Sequence, residues 1–100
     1  MDKSTALKYA KEYAEKVKEA CSPLAVIVYG SYINGVPTDD SDIDIAVIFD
    51  GFTGDFLETS AMLYEITCEV STTIEPILLD IANDKSGFAH QILNTGLSVA

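Results

Sequence analysis

Arginine is absent, and the basic residues number 6 against 16 acidic ones, a formal net charge of −10 over 100 residues. Affinity for nucleic acid rests largely on neutralised phosphates, so this balance argues against stand-alone nucleic-acid binding. It suits a divalent cation or a basic protein partner instead. Long apolar runs are also missing. Lys3, Lys8, Glu12, Lys16 and Lys18 interrupt the start of the chain, so no membrane span and no secretory leader is expected, and a cytoplasmic location is the default expectation. Cysteine is scarce: Cys21 and Cys68 fall near predicted helix ends without a C-x-x-C or zinc spacing, which favours two buried or half-buried thiols over a disulfide. The single histidine, His90, is expected on the surface or half in the core of the last helix. No Ser/His/Asp or Cys/His arrangement can be assembled, and no Walker motif follows Gly30.

What is present reads as one α/β domain. Over residues 4–21, Leu7, Ala10, Ala14, Val17 and Cys21 recur at steps of three and four, predicting an amphipathic helix with Ser4 as N-cap. Ser22-Pro23 ends it, because proline disfavours helical backbone in the residue before it. Leu24 to Tyr29 is a short, β-branched, almost continuous apolar run, the pattern of a strand buried on both faces. Residues 32–40 carry turn chemistry: Asn34-Gly35, Pro37-Thr38, Asp39-Asp40. A second strand is predicted from Asp42 to Phe49, and a second helix over 55–68 with Phe56, Leu57, Met62, Leu63 and Ile66 on its apolar side and Thr53 or Thr59 as cap. A third strand follows over 72–80. Pro76 cannot donate to a ladder, so it belongs at an edge or a bulge. That apolar edge is one that could support self-association. Residues 82–94 read as a last helix stopped by Gly96, with a short extended tail after it.

One stretch demands an explanation. The strand after the turn opens with Ser41-Asp42-Ile43-Asp44. Side chains two apart on a strand leave the same face, so Asp42 and Asp44 form a pair at the threshold of an apolar run. Burying carboxylates is costly unless they are paired, hydrogen-bonded or metal-bound. Two such oxygen donors can share one Mg²⁺ or bridge two, with waters and phosphates filling the remaining positions. Glu75 lies mid-strand among apolar residues. If its strand neighbours the Asp42–Asp44 strand, it supplies a third ligand. Gly30 allows close backbone approach to a phosphate, Ser31 adds a hydroxyl and an amide, and a short helical turn starting there would contribute free N–H groups. Asp39 and Asp40 are expected to be solvated or capping rather than metal-bound.

Gly30-Ser31, ten intervening residues, Asp42-x-Asp44 and the apolar strand that follows resemble the signature of the DNA polymerase beta-type nucleotidyltransferase superfamily, and the compact length resembles its minimal nucleotidyltransferase (MNT) branch. The resemblance implies a small mixed sheet flanked by helices, the polymerase beta-like fold. It implies Mg²⁺-dependent transfer of AMP from ATP to a hydroxyl, with Gly30 and Ser31 binding the triphosphate and Asp42, Asp44 and Glu75 holding two metal ions. Glu75 stands where the family usually has aspartate, and Asn34 where it often has arginine or lysine. Many members are antitoxins paired with a helical HEPN toxin, and some attach AMP to a toxin tyrosine. The same acidity suits a second expectation, a non-catalytic or weakly nucleotide-binding antitoxin that neutralises a helical partner by masking it.

Overall fold

A computed structural model describes residues 2–35, 37 and 41–100. The elements run α1 (Lys3–Ala20), β1 (Ala25–Tyr29), α2 (Ser31–Asn34), β2 (Ile43–Phe49), α3 (Phe56–Val70), β3 (Ile74–Asp80), a 3-10 turn (Ile81–Asn83), α4 (Phe88–Thr95) and β4 (Leu97–Ser98). The sheet order is β3-β2-β1-β4. The β1 strand is antiparallel to both β2 and β4, while β2 and β3 are parallel. A parallel neighbour needs a crossover connection, and α3 supplies it. This is the mixed α/β architecture with flanking helices that the sequence predicts.

Alternation along the strands divides the core into two layers. Val26 and Val28 of β1, Ile43, Ile45, Val47 and Phe49 of β2, and Ile74 and Leu78 of β3 face α1 and α3. Ala6, Ala10 and Ala14 of α1 are wholly buried against them, and their lack of bulk lets the helix lie close to the sheet. Where α1 meets α3, the buried Tyr13 hydroxyl donates to the Leu63 carbonyl at 2.8 Å. Ile27, Ala46 and Ile48 point the other way and pack on Ile92 of α4. The domain is thus closed over both sheet faces, and its site must lie at a strand end.

Several boundaries differ from the predicted ones. Asp2, not Ser4, caps α1, its Oδ1 accepting from Thr5 N at 2.8 Å. Asp55 rather than either threonine caps α3, accepting from Glu58 N at 2.9 Å. In both cases an aspartate stands directly before the first helical residue and takes a cap role as readily as serine. Phe56 and Leu57 open α3 but remain exposed, Leu57 at 78%, so the predicted apolar side of the helix is buried only from Leu63 onward. Cys68 is exposed on the same helix and Cys21 half-buried, and both are free thiols. The helix predicted over 82–94 is split. Gly87 sits at φ +77°, ψ +7°, left-handed backbone that no helix continues through. The Asp84 carboxylate restarts the chain as α4 by accepting from Ala89 N at 3.1 Å and His90 N at 3.0 Å. Pro76 does lie on the edge strand, and β4 is the extended tail after Gly96.

Candidate active site

Strand β1 ends at Tyr29, and Gly30 turns the chain out of the sheet at φ +79°, ψ −148°, a region essentially confined to glycine. A Cβ at Gly30 would also land on Oδ2 of Asp44. The carboxylate therefore lies directly over the Gly30 backbone, in a space that only glycine leaves open. Ser31 begins the single turn of α2, closed by Ile33 N donating to Gly30 O at 3.0 Å and Gly35 N donating to Ser31 O at 3.2 Å. Asp39 and Asp40 lie outside the described residues, as does the Asn34 side chain.

The sheet register does the rest of the positioning. Asp44 is paired with Tyr29 on β1 and with Glu75 on β3. Directly opposed residues on neighbouring strands present their side chains to one face, so Tyr29, Asp44 and Glu75 make a row across the sheet next to the Gly30 turn. Asp42 lies just before β2 and is exposed. The predicted strand thus begins one residue late, and Asp42 reaches the row from a loop rather than from the pleat.

The row is electrostatically loaded. Burial is the main cause that raises the Asp44 carboxyl above its ordinary value of 3.8, and the charges of Asp42 and Glu75 push it further in the same direction. Tyr29 is half-buried and likewise raised, first by burial and then by the charges of Asp44 and Glu75. The Tyr64 hydroxyl on α3 donates to Glu75 Oε1 at 3.0 Å. That bond is the first cause of a raised Tyr64, since a carboxylate acceptor holds the proton on the phenol. Glu75 is exposed at the edge, so its surroundings are less apolar than its sequence neighbours suggest. Among the described residues, no three His, Cys, Asp or Glu side chains converge closely enough to hold a metal ion as they stand. Glu75 is engaged by Tyr64 instead.

The donor set nonetheless suits a hard divalent cation. Asp42, Asp44 and Glu75 offer only carboxylate oxygens, the donors Mg²⁺ takes. Their negative charges act on one another and raise Asp44, and a cation between them would reverse that effect. Beside them, the Gly30 turn already carries the Asp44 carboxylate directly over its backbone.

The site is incomplete as the sequence reads it, because Tyr29 and Tyr64 join it without having been singled out. Tyr64 carried a weak signal: it falls off the apolar stripe of α3 and beside Glu65, where an aromatic ring has no core to fill. Tyr29 closes an apolar run and is indistinguishable in sequence from an ordinary strand end. His90 is on the surface as expected, its Nδ1 paired with Asp84 Oδ2 at 2.7 Å. A separate cavity, about 580 Å³, lies past the other end of β3 over Phe52, Phe56, Leu78, Asp80 and Phe88. Its Asp80 carboxylate is occupied by the amides of Gly51, Phe52 and Ala82 at 2.8 to 2.9 Å.

Residues 10–100 match the sequence profile of the family described as "Polymerase beta, Nucleotidyltransferase". The fold superposes on a crystal structure of a candidate nucleotidyltransferase from Sulfolobus solfataricus with a TM-score of 0.70 and 26% sequence identity, covering 96% of this chain and 80% of that one. Among curated proteins, none shows significant sequence similarity.

Proposed function

From the premise that the chain belongs to the polymerase beta nucleotidyltransferase family, we propose that it transfers AMP from ATP to a hydroxyl on a partner protein, a tyrosine of a helical HEPN-type toxin, and so acts as an antitoxin. The observation that carries the transferase reading is the packing of Asp44 over Gly30 in register with Glu75. It sets the Gly30-Ser31 turn directly beside a row of carboxylates. In this reading, Gly30 and Ser31 seat the triphosphate, and Asp42, Asp44 and Glu75 hold Mg²⁺. The metal ions, when bound, stabilise the charge that builds on the attacking and leaving oxygens. Asp44 gains from this arrangement because the field that raises its proton affinity is neutralised. Glu75, exposed at the sheet edge, is assigned the proton of the attacking hydroxyl.

The test is to incubate the chain with ATP, Mg²⁺ and the partner encoded beside it, and to read the partner's intact mass. The expected result is a nucleotidyl adduct on the partner that disappears when Asp42 and Asp44 are both replaced by Asn. Undiminished transfer by that double variant would refute the assignment of these carboxylates.

The masking alternative draws support from a different surface. Leu57, exposed at 78%, and Tyr64, at 48%, stand on α3 among Glu58, Glu65 and Glu69 and with no basic residue in the helix. Such a face suits a basic apolar partner. Protection from the toxin that survives the Asp42→Asn/Asp44→Asn double substitution would favour masking over transfer.

A further inference from the structure

The Tyr64 hydroxyl already faces the carboxylate to which the proposed reaction assigns the acceptor's proton. It donates to Glu75 Oε1 at 3.0 Å, and Glu75 is the register partner of Asp44, which lies over Gly30. Its phenol is also open to solvent. Tyr13 and Tyr32 are buried, with their hydroxyls donating to the carbonyls of Leu63 and Ser41, and Tyr9 and Tyr29 are half-buried. Tyr64 alone among the tyrosines is exposed, at 48%. No packing demand accounts for this ring, since it stands off the face that α3 turns to the core.

We infer that Tyr64 is an internal acceptor: the chain nucleotidylates its own Tyr64, and the modified phenol then blocks the seat from which a partner hydroxyl would react. The inference rests on the transferase reading above. In the step, the Tyr64 phenolic oxygen forms a bond to the α-phosphorus of a nucleoside triphosphate. The bond from that phosphorus to the bridging oxygen breaks, and pyrophosphate leaves with the electron pair. The phenolic proton passes to the Glu75 carboxylate it already faces. The product is a phosphodiester on an exposed side chain, and the Tyr64–Glu75 hydrogen bond is lost with the proton. A Tyr64 that has reacted can no longer donate to Glu75, so modification changes the acceptor side of the site as well as covering it.

The experiment uses the full chain with Mg²⁺ and each nucleoside triphosphate in turn, read by intact mass and then by cleavage after glutamate. That cleavage isolates residues 59–65, in which Tyr64 is the only tyrosine. The expected outcome is one nucleotidyl group per chain on this peptide, absent in Tyr64→Phe and in the Asp42→Asn/Asp44→Asn double variant. A second readout needs no turnover. Tetranitromethane should nitrate Tyr64 before the other tyrosines, and a non-hydrolysable α,β-methylene triphosphate with Mg²⁺ should slow that nitration several-fold. Nitration unaffected by the analogue places Tyr64 away from the phosphate seat and overturns the inference. An adduct on any other residue overturns it while leaving nucleotidyl transfer intact, as does transfer to the partner with no adduct on this chain. Loss of all transfer in Tyr64→Phe with no Tyr64 adduct in the parent chain also overturns it, and makes Tyr64 a positioning residue for Glu75. Absence of transfer to any acceptor overturns both the inference and the reading beneath it.

Discussion

Replacing Gly30 by alanine separates two demands that the fold places on one residue. The backbone there is at φ +79°, ψ −148°. Holding a non-glycine residue in that region costs about 1–3 kcal/mol. At about 4–8 °C per kcal/mol for a domain of this size, Tm should fall by about 4 to 24 °C. The second demand is local: the new methyl group would occupy the position of Asp44 Oδ2, so the carboxylate must rotate away from the turn. Gly87→Ala is the control. Gly87 is also at positive φ, +77°, but a Cβ there meets nothing within 4 Å, so only the left-handed backbone cost of about 1–2 kcal/mol applies. Both variants should unfold at lower temperature by differential scanning calorimetry. Gly30→Ala alone should also lose binding of a Mg²⁺-triphosphate, by about tenfold or more, equivalent to about 1.4 kcal/mol. The reasoning fails if Gly30→Ala binds the triphosphate as the parent chain does, or if it is no less stable than Gly87→Ala.

Asp44→Asn should raise Tm at neutral pH in metal-free buffer. The folded-state pKa of Asp44 lies above the unfolded 3.8, so the native state binds its proton more tightly and stability falls as pH rises from 3.8 through the folded value. The gain from Asn should shrink as pH approaches 3.8, and a lower Tm at neutral pH would contradict the arrangement. Mg²⁺ should raise Tm of the parent chain, by about 2.7 kcal/mol of stabilisation at one hundred times its dissociation constant, and leave the Asp42→Asn/Asp44→Asn variant unchanged. Chelation should return the parent chain to its metal-free Tm. Tyr13→Phe removes a buried hydrogen bond of 2.8 Å to Leu63 O, and urea titration should show a loss of about 0.5–1.5 kcal/mol with an unchanged m-value. Asp80→Asn should speed hydrogen exchange at Gly51, Phe52 and Ala82, whose amides the carboxylate accepts. The first two of these bonds are the leading causes that hold Asp80 below 3.8, so its stabilisation is present above that value and is lost as pH falls through the folded one.

The strands were legible because their signals are short-range and redundant. Leu24 to Tyr29 has only one plausible burial, and Asp42-x-Asp44 fixes which side chains share a face. The register that joins Asp44 to Glu75 was not legible, since it depends on how far α3 carries the chain before β3 begins. Helix starts were misassigned where two cap residues compete within one turn, as Asp2 and Ser4 do. Gly87 was read through because a glycine in a helical pattern gives no hint of positive φ until the chain on both sides is placed. Tyr64 escaped notice for the same reason as the register. Its partner Glu75 is eleven residues away, and only the packing of α3 along the edge strand brings the two together.

The distribution of charge bears on how such a site can work. Lys3, Lys8, Lys11, Lys16 and Lys18 all lie on α1, which packs on the sheet face carrying Val26, Val28 and Ile45. By strand alternation Asp44 points to the opposite face, with Ala46 and Ile48. Lys85 precedes α4, past the far end of β3 beside Asp80. The groups acting on Asp44 are its own burial, Asp42 and Glu75, and all three raise it. A triphosphate brought to this row adds further negative charge to carboxylates that already repel one another. In the proposed reaction that added charge would have to be offset by cations arriving with the nucleotide or by basic groups on a partner, beside whatever the Gly30-Ser31 backbone contributes. Either source would make the charge balance of the site conditional on what is bound, because the groups that act on Asp44 in the chain itself all raise it.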